Sequence, residues 1–196
     1  MDKEFCSIFS LIFYRPDREF ALYLRNGFIG DIKFLDKAAL NGFSTFLAEN
    51  REKDDEEFYE MLAVEYTRLF KTAIPEVPCP PYESMYREDV IMGDSTLSVL
   101  DFYNKAGLNV IEKFHDLPDH VAVELEFLYY LTENGFSAQH DSFIKEHFSK
   151  WVPKFCEDVE KNDTTGFYGH AASVLKDFIN VENMNKSRGE INEYCI

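Results

Sequence analysis

Glu65-Tyr66-Thr67-Arg68-Leu69-Phe70 closes one strongly helical pattern, and the residues after it decide the fold. Pro75, Pro78, Pro80 and Pro81 cross a short polar stretch. Tyr82-Glu83-Ser84-Met85-Tyr86 comes next, and Gly93-Asp94-Ser95-Thr96-Leu97 then starts another helical run. Upstream, Phe58, Met61, Leu62, Tyr66, Leu69 and Phe70 recur at spacings of three and four, which places them on one face of a helix over about 55–70. The prolines forbid helix and sheet alike, so the crossing is a stiff loop that loses little entropy when something packs on it. The stretch reads as the wall of a groove rather than as an active site.

Working outward, the pattern stays helical. Lys3–Tyr14 is an aromatic first helix, and Pro16 suits the first turn of a second that ends at Asn26-Gly27. A third is expected over Lys33–Asn50, with Asn41-Gly42 as a candidate break. Asp94-Ser95 reads as the cap of a helix to Lys105, and Pro118 as the first turn of one to Glu133 whose buried stripe includes Val121, Leu125 and Leu128. Ser137–Asp158 is helical with Pro153 breaking or kinking it after Trp151, and Thr164 or Thr165 to Glu182 gives the last helix. No period-2 strand, hairpin signal or solenoid repeat stands out. The expected fold is all-α, one globular domain over 1–182 of about eight to ten helices, with 183–196 as a polar, frayed tail.

Composition limits the functions open to it. The 196 residues are 45% hydrophobic, with 19 Phe and 11 Tyr against one Trp. That is enough for a core, with aromatics left over to line a surface. The net charge of −16 disfavours nucleic acid and anionic membranes and favours a basic partner. From Glu49 to Glu60, seven acids face two bases, either as a solvated helix start or as a charge for a partner. Cys6, Cys79, Cys156 and Cys195 are far apart and form no CxxC, no apolar run is long enough to span a membrane, and Asp2 and Glu4 argue against a signal peptide. The expectation is a cytoplasmic protein with reduced thiols.

Chemistry is sparse. There is no phosphate-binding glycine loop, GxSxG or HExxH. His115-Asp116 invites comparison with helical metal-dependent hydrolases, but no His lies upstream to complete the ligand set. His120 and Glu124 share a helix face and can hold a metal only with a third ligand that the sequence does not show. Asp119, beside them, reads as a cap or as part of an acidic rim. Tyr82-Glu83-Ser84 either tucks an aromatic against the helix ending at Phe70 or offers an aromatic, a carboxylate and a hydroxyl at a rigid edge. No cofactor is expected.

Three segments in one order carry a resemblance, with Trp151 and Phe167-Tyr168 as further matching aromatics: Tyr66–Phe70 leading to Pro80–Tyr86; Gly93–Leu97 with Phe102-Tyr103 and Gly107; and Leu117-Pro118-Asp119-His120-Val121-Ala122-Val123-Glu124-Leu125-Glu126-Phe127-Leu128. The chain resembles the TorD/DmsD family of redox-enzyme maturation chaperones, relatives of the NarJ-type chaperones, over roughly 55–180. The resemblance implies that family's all-helical fold, monomeric or as a domain-swapped dimer. It also implies a non-enzymatic role: binding the twin-arginine signal peptide and the apo catalytic subunit of a molybdenum- or tungsten-cofactor oxidoreductase. Carried over by motif, the implied peptide-binding residues are Leu69, Phe70, Pro81, Tyr82, Glu83, Ser84, Asp119, His120 and Glu124. This chain departs from the family's frequent Gly-Pro after Leu-Phe, having Lys71-Thr72-Ala73 there, and has Tyr82 where many members carry Trp. An acidic rim beside an aromatic groove suits a basic segment followed by an apolar one. The alternatives are a helical metal-dependent hydrolase and a helical adaptor without a specific client.

Overall fold

A computed structural model describes residues 2–73, 76–109 and 116–193, with side chains through residue 181. The order is α1 (Lys3–Phe13), α2 (Arg18–Asn26), α3 (Phe28–Asp31), α4 (Lys37–Glu49), α5 (Asp55–Phe70), α6 (Glu83–Glu88), α7 (Asp94–Lys105), α8 (Val121–Glu133), α9 (Ser137–Phe143), a π turn (Ile144–Phe148), α10 (Ser149–Asn162) and α11 (Phe167–Glu193). The all-α expectation holds, with no strand among the described residues.

Carboxylates start the early helices. Asp2, Asp17, Asp36 and Asp54 each accept a backbone N–H of the first turn, satisfying donors a helix start leaves open. Asp54 and Glu57 form a reciprocal capping box at α5. Two more acids of the same run are engaged, Asp55 with Arg25 at 2.7 Å and Glu56 with Arg18. The acidic run is therefore largely a helix start with local partners.

The apolar faces converge on one aromatic core. α1 lies along α8, α10 along α11, and α2 against α5. Phe70 is central: its ring meets Tyr66 at 5.0 Å, Tyr168 at 5.4 Å edge-on and Phe155 at 5.9 Å. Glu65 ties α5 to the α10–α11 turn, accepting from Arg68 at 2.6 and 2.8 Å and from the Thr164 N–H at 2.6 Å. Burial pushes that carboxyl up, but these hydrogen bonds outweigh it and hold Glu65 down at about 2.

Several boundaries differ from the sequence expectation. The third helix starts later than Lys33: α4 begins at Lys37, where Asp36 supplies a cap, and a short helix not expected from the sequence, Phe28–Asp31, precedes it. Asn41-Gly42 is not a break but lies within α4. A Cβ at Gly42 would run into the His170 ring, so the glycine permits close helix contact. α10 runs through Pro153 unbroken, and the irregularity lies upstream, in the π turn. A proline withholds the N–H that the carbonyl four residues back requires, and the wider upstream turn absorbs the mismatch. Asp94 does not cap α7. Glu88 does so from the preceding helix, accepting from the Ser95 N–H and hydroxyl. The last helix continues to Glu193 rather than ending at Glu182.

Candidate functional site

The two motifs that the sequence singles out meet backbone to backbone. Tyr82 and His120 form an isolated antiparallel bridge. On either side of it, the Glu83 N–H donates to the Asp119 carbonyl and the Val121 N–H to the Pro81 carbonyl, both at 2.9 Å. Prolines on both segments preset these short stretches, so the pairing costs little ordering. Tyr103 adds a third anchor, donating its hydroxyl to the Pro118 carbonyl at 2.7 Å.

Around this bridge the polar side chains are interior. Glu83, Ser84, Asp119, His120 and Glu124 are each 0% exposed. Leu69, Phe70 and Pro81 are buried as well, so Tyr82 alone of the nine candidates reaches solvent. The expectation of an exposed acidic rim is corrected accordingly: these carboxylates serve internal donors. Asp119 caps α6 by accepting the Ser84 N–H at 3.0 Å, a neighbouring helix rather than its own. Glu83 takes the His147 Nδ1–H at 2.8 Å and a contact from Arg87. His147 in turn meets the Ser98 hydroxyl through Nε2 at 3.1 Å. Glu124 accepts the Trp151 indole N–H at 3.1 Å. Burial, then the charge of Glu83, drives the Glu124 carboxyl well above the usual carboxylate range, against the pull of Trp151, so the site favours its protonated form.

His120 sets the surface side of the bridge. Its Nδ1 accepts the Ala122 N–H at 3.1 Å and caps α8. Burial pulls its pKa down to about 4, so the ring is neutral near pH 7 and its proton is on Nε2. That Nε2 has no hydrogen-bond partner and faces Asp116 Oδ2 at 3.7 Å. The ring stacks on Tyr14 at 5.9 Å and meets Tyr82 edge-on at 5.2 Å. Beyond it lies a partly exposed cluster. Tyr82 donates its hydroxyl to Asp116 Oδ1 at 2.9 Å, and Lys71 Nζ reaches Asp116 at 3.3 Å and the Tyr82 hydroxyl at 3.2 Å.

Asp116 and Lys71 do not stand out as site residues in the sequence. Asp116 shows there only as half of the His115-Asp116 pair, whose His lies outside the described residues, and Lys71 only as a departure from a motif. His147 gives no signal beyond residue type, and Trp151 only as an aromatic at a position where the resembled family tends to carry one. Among the described residues no three His, Cys, Asp or Glu side chains converge as a metal site. A surface pocket of about 340 Å³ between Phe34–Ala39 and α11 is lined by none of the nine candidates.

Fold and site together define an all-α domain in which a rigid, buried polar scaffold supports a small aromatic and acidic surface. Residues 35–157 match the family model described as nitrate reductase delta subunit, and the chain belongs to that family. It is 26% identical over 158 residues to the chaperone protein TorD of Vibrio cholerae serotype O1, covering 74% of this chain and 71% of that one. It is 33% identical over 95 residues to a protein of Haemophilus influenzae named as a Tat proofreading chaperone, DmsD, a match spanning 47% of this chain and 46% of that one. A crystal structure described as a redox enzyme maturation protein from Archaeoglobus fulgidus superposes with a TM-score of 0.66 at 29% identity, over 92% of this chain and 94% of that one. No described helix is long and apolar enough to cross a membrane.

Proposed function

We propose that the chain is a cytoplasmic, non-enzymatic maturation chaperone of the TorD/DmsD kind. In this reading it binds the twin-arginine signal peptide and the apo catalytic subunit of a molybdenum- or tungsten-cofactor oxidoreductase, and holds that client back from export until its cofactor is in place. The observation that carries the reading is the Tyr82–His120 bridge, which joins the motif-bearing segments and turns Tyr82 outward beside Asp116. The family membership and the names of the relatives support the same reading. The nine candidate residues then divide by role. Tyr82 touches the peptide, and the eight buried ones, Leu69, Phe70, Pro81, Glu83, Ser84, Asp119, His120 and Glu124, fix its position; Asp116, outside the nine, joins Tyr82 at the peptide.

The test is calorimetry at low salt with synthetic twin-arginine leader peptides encoded in the same genome. Binding should be lost when Arg-Arg becomes Ala-Ala. Absence of heat with every such peptide overturns the reading. Bound metal in stoichiometric amount would favour the hydrolase alternative instead.

A further inference from the structure

The Asp116 carboxylate already has a cation on it, supplied by the protein. Lys71 comes directly after the last residue of α5, and its ammonium lies 3.3 Å from Asp116 Oδ2, 3.2 Å from the Tyr82 hydroxyl and 5.6 Å from the centre of the Tyr82 ring. The lengths matter. A well-made ammonium–carboxylate hydrogen bond is about 2.7–2.9 Å, so this ion is loosely seated. Its side chain is 34% exposed and that of Asp116 18%, so the pair opens to solvent on the lysine side. Behind Asp116 the His120 Nε2–H is buried without a hydrogen-bond partner, 3.7 Å from the same oxygen that Lys71 holds. The carboxylate thus lies between two donors and is tightly served by neither on that oxygen.

Resting on the functional reading above, we propose that Asp116 and the Tyr82 ring form a guanidinium subsite for the incoming peptide, and that Lys71 is a resident competitor which any incoming cation must displace. The physical argument is one of exchange. A peptide lysine would replace one ammonium by another and gain almost nothing, while bearing the same cost of displacing Lys71. A peptide arginine brings a planar fork that can bond a carboxylate through two N–H groups and stack on an aromatic face, which an ammonium cannot match. The cost of displacing Lys71 is common to both and sets how strong an incoming contact must be, while discrimination comes from the contact that forms.

The experiment compares two leader peptides, Arg-Arg and Lys-Lys, on the full chain by calorimetry, with wild type and Lys71→Met and with Lys71→Gln as a second neutral variant. Thermal melts confirm that each variant is folded. Wild type should prefer Arg-Arg by about tenfold or more. Both neutral variants should bind both peptides several-fold more tightly than wild type does, with the preference for Arg-Arg retained. If wild type binds Arg-Arg with no preference over Lys-Lys, or neither peptide tightens in the two variants, the proposal is overturned and the functional reading survives. If wild type binds neither peptide, both fall.

Discussion

Trp151 and Glu124 are joined by a 3.1 Å hydrogen bond from the indole Nε1–H to Oε2, in a place where neither side chain is more than 1% exposed. Burial there favours the protonated acid, and its folded pKa lies well above the unfolded value. The native state therefore holds a proton that the unfolded chain releases above about pH 4.5. Stability should be fully present below that pH and fall as pH rises towards the folded value. Glu124→Gln keeps the shape and removes the titrating proton, so its melting temperature should decline less than that of wild type as pH rises above about 4.5. Equal slopes in the two proteins would refute this.

His120 gives the opposite limb. Its folded pKa of about 4 lies below the ordinary value of 6.5, so the unfolded chain takes up a proton that the native ring refuses. Stability should fall as pH drops from about 6.5 to 4, by up to about 3 kcal/mol if this group acted alone. Chemical denaturation at pH 7 and pH 5 should show a smaller difference for His120→Asn, whose side chain can still accept the Ala122 N–H, than for wild type.

Tyr82 and Glu83 are adjacent in sequence but should fail differently. Tyr82→Ala removes an outward aromatic and should weaken twin-arginine peptide binding by roughly 30-fold, while Tyr82→Trp retains most of it. Glu83→Ala strips the partner from buried His147 and should cost about 3 kcal/mol, or roughly 10 °C in melting temperature. Paired calorimetry and thermal melts read both quantities. Loss of stability in Tyr82→Ala matching that of Glu83→Ala would collapse the distinction.

Gly42→Ala tests the close approach of α4 to α11. The added methyl would meet the His170 ring, which is itself pinned by a 2.8 Å contact to the Ala39 carbonyl. Overpacking of this kind costs about 1–3 kcal/mol. Urea denaturation should show a lower midpoint with an unchanged slope.

Much of this architecture is legible in the sequence because it is periodic or punctuated. Helix α5 announces itself through Phe58, Leu62, Tyr66 and Leu69, and its start through Asp54 and Glu57. The three ordered motifs, from Tyr66 to Leu128, point to the family that the chain matches. The bridge is not legible, because one pair of residues 38 apart leaves no repeating pattern. Nor is the burial of Glu83, Asp119 and Glu124. Acidic residues are ordinarily exposed, and the donors that reverse this come from α6, α10 and the π turn. Asn41-Gly42 misleads for a related reason. The same dipeptide that ends α2 at Asn26-Gly27 serves at 41–42 to admit a neighbouring ring, and only the neighbour distinguishes the two uses.

The π turn at Ile144–Phe148 carries a genetic consequence. A widened turn is what a helix makes of one surplus residue. Removing a single codon between 144 and 148 would restore a regular helix and swing every later side chain about 100° relative to those before it. Within the turn, His147 meets Glu83, and just beyond it Trp151 meets Glu124. An in-frame deletion here would thus part both carboxylates from their partners without altering either one. The length of this segment, more than its composition, is what inheritance must preserve.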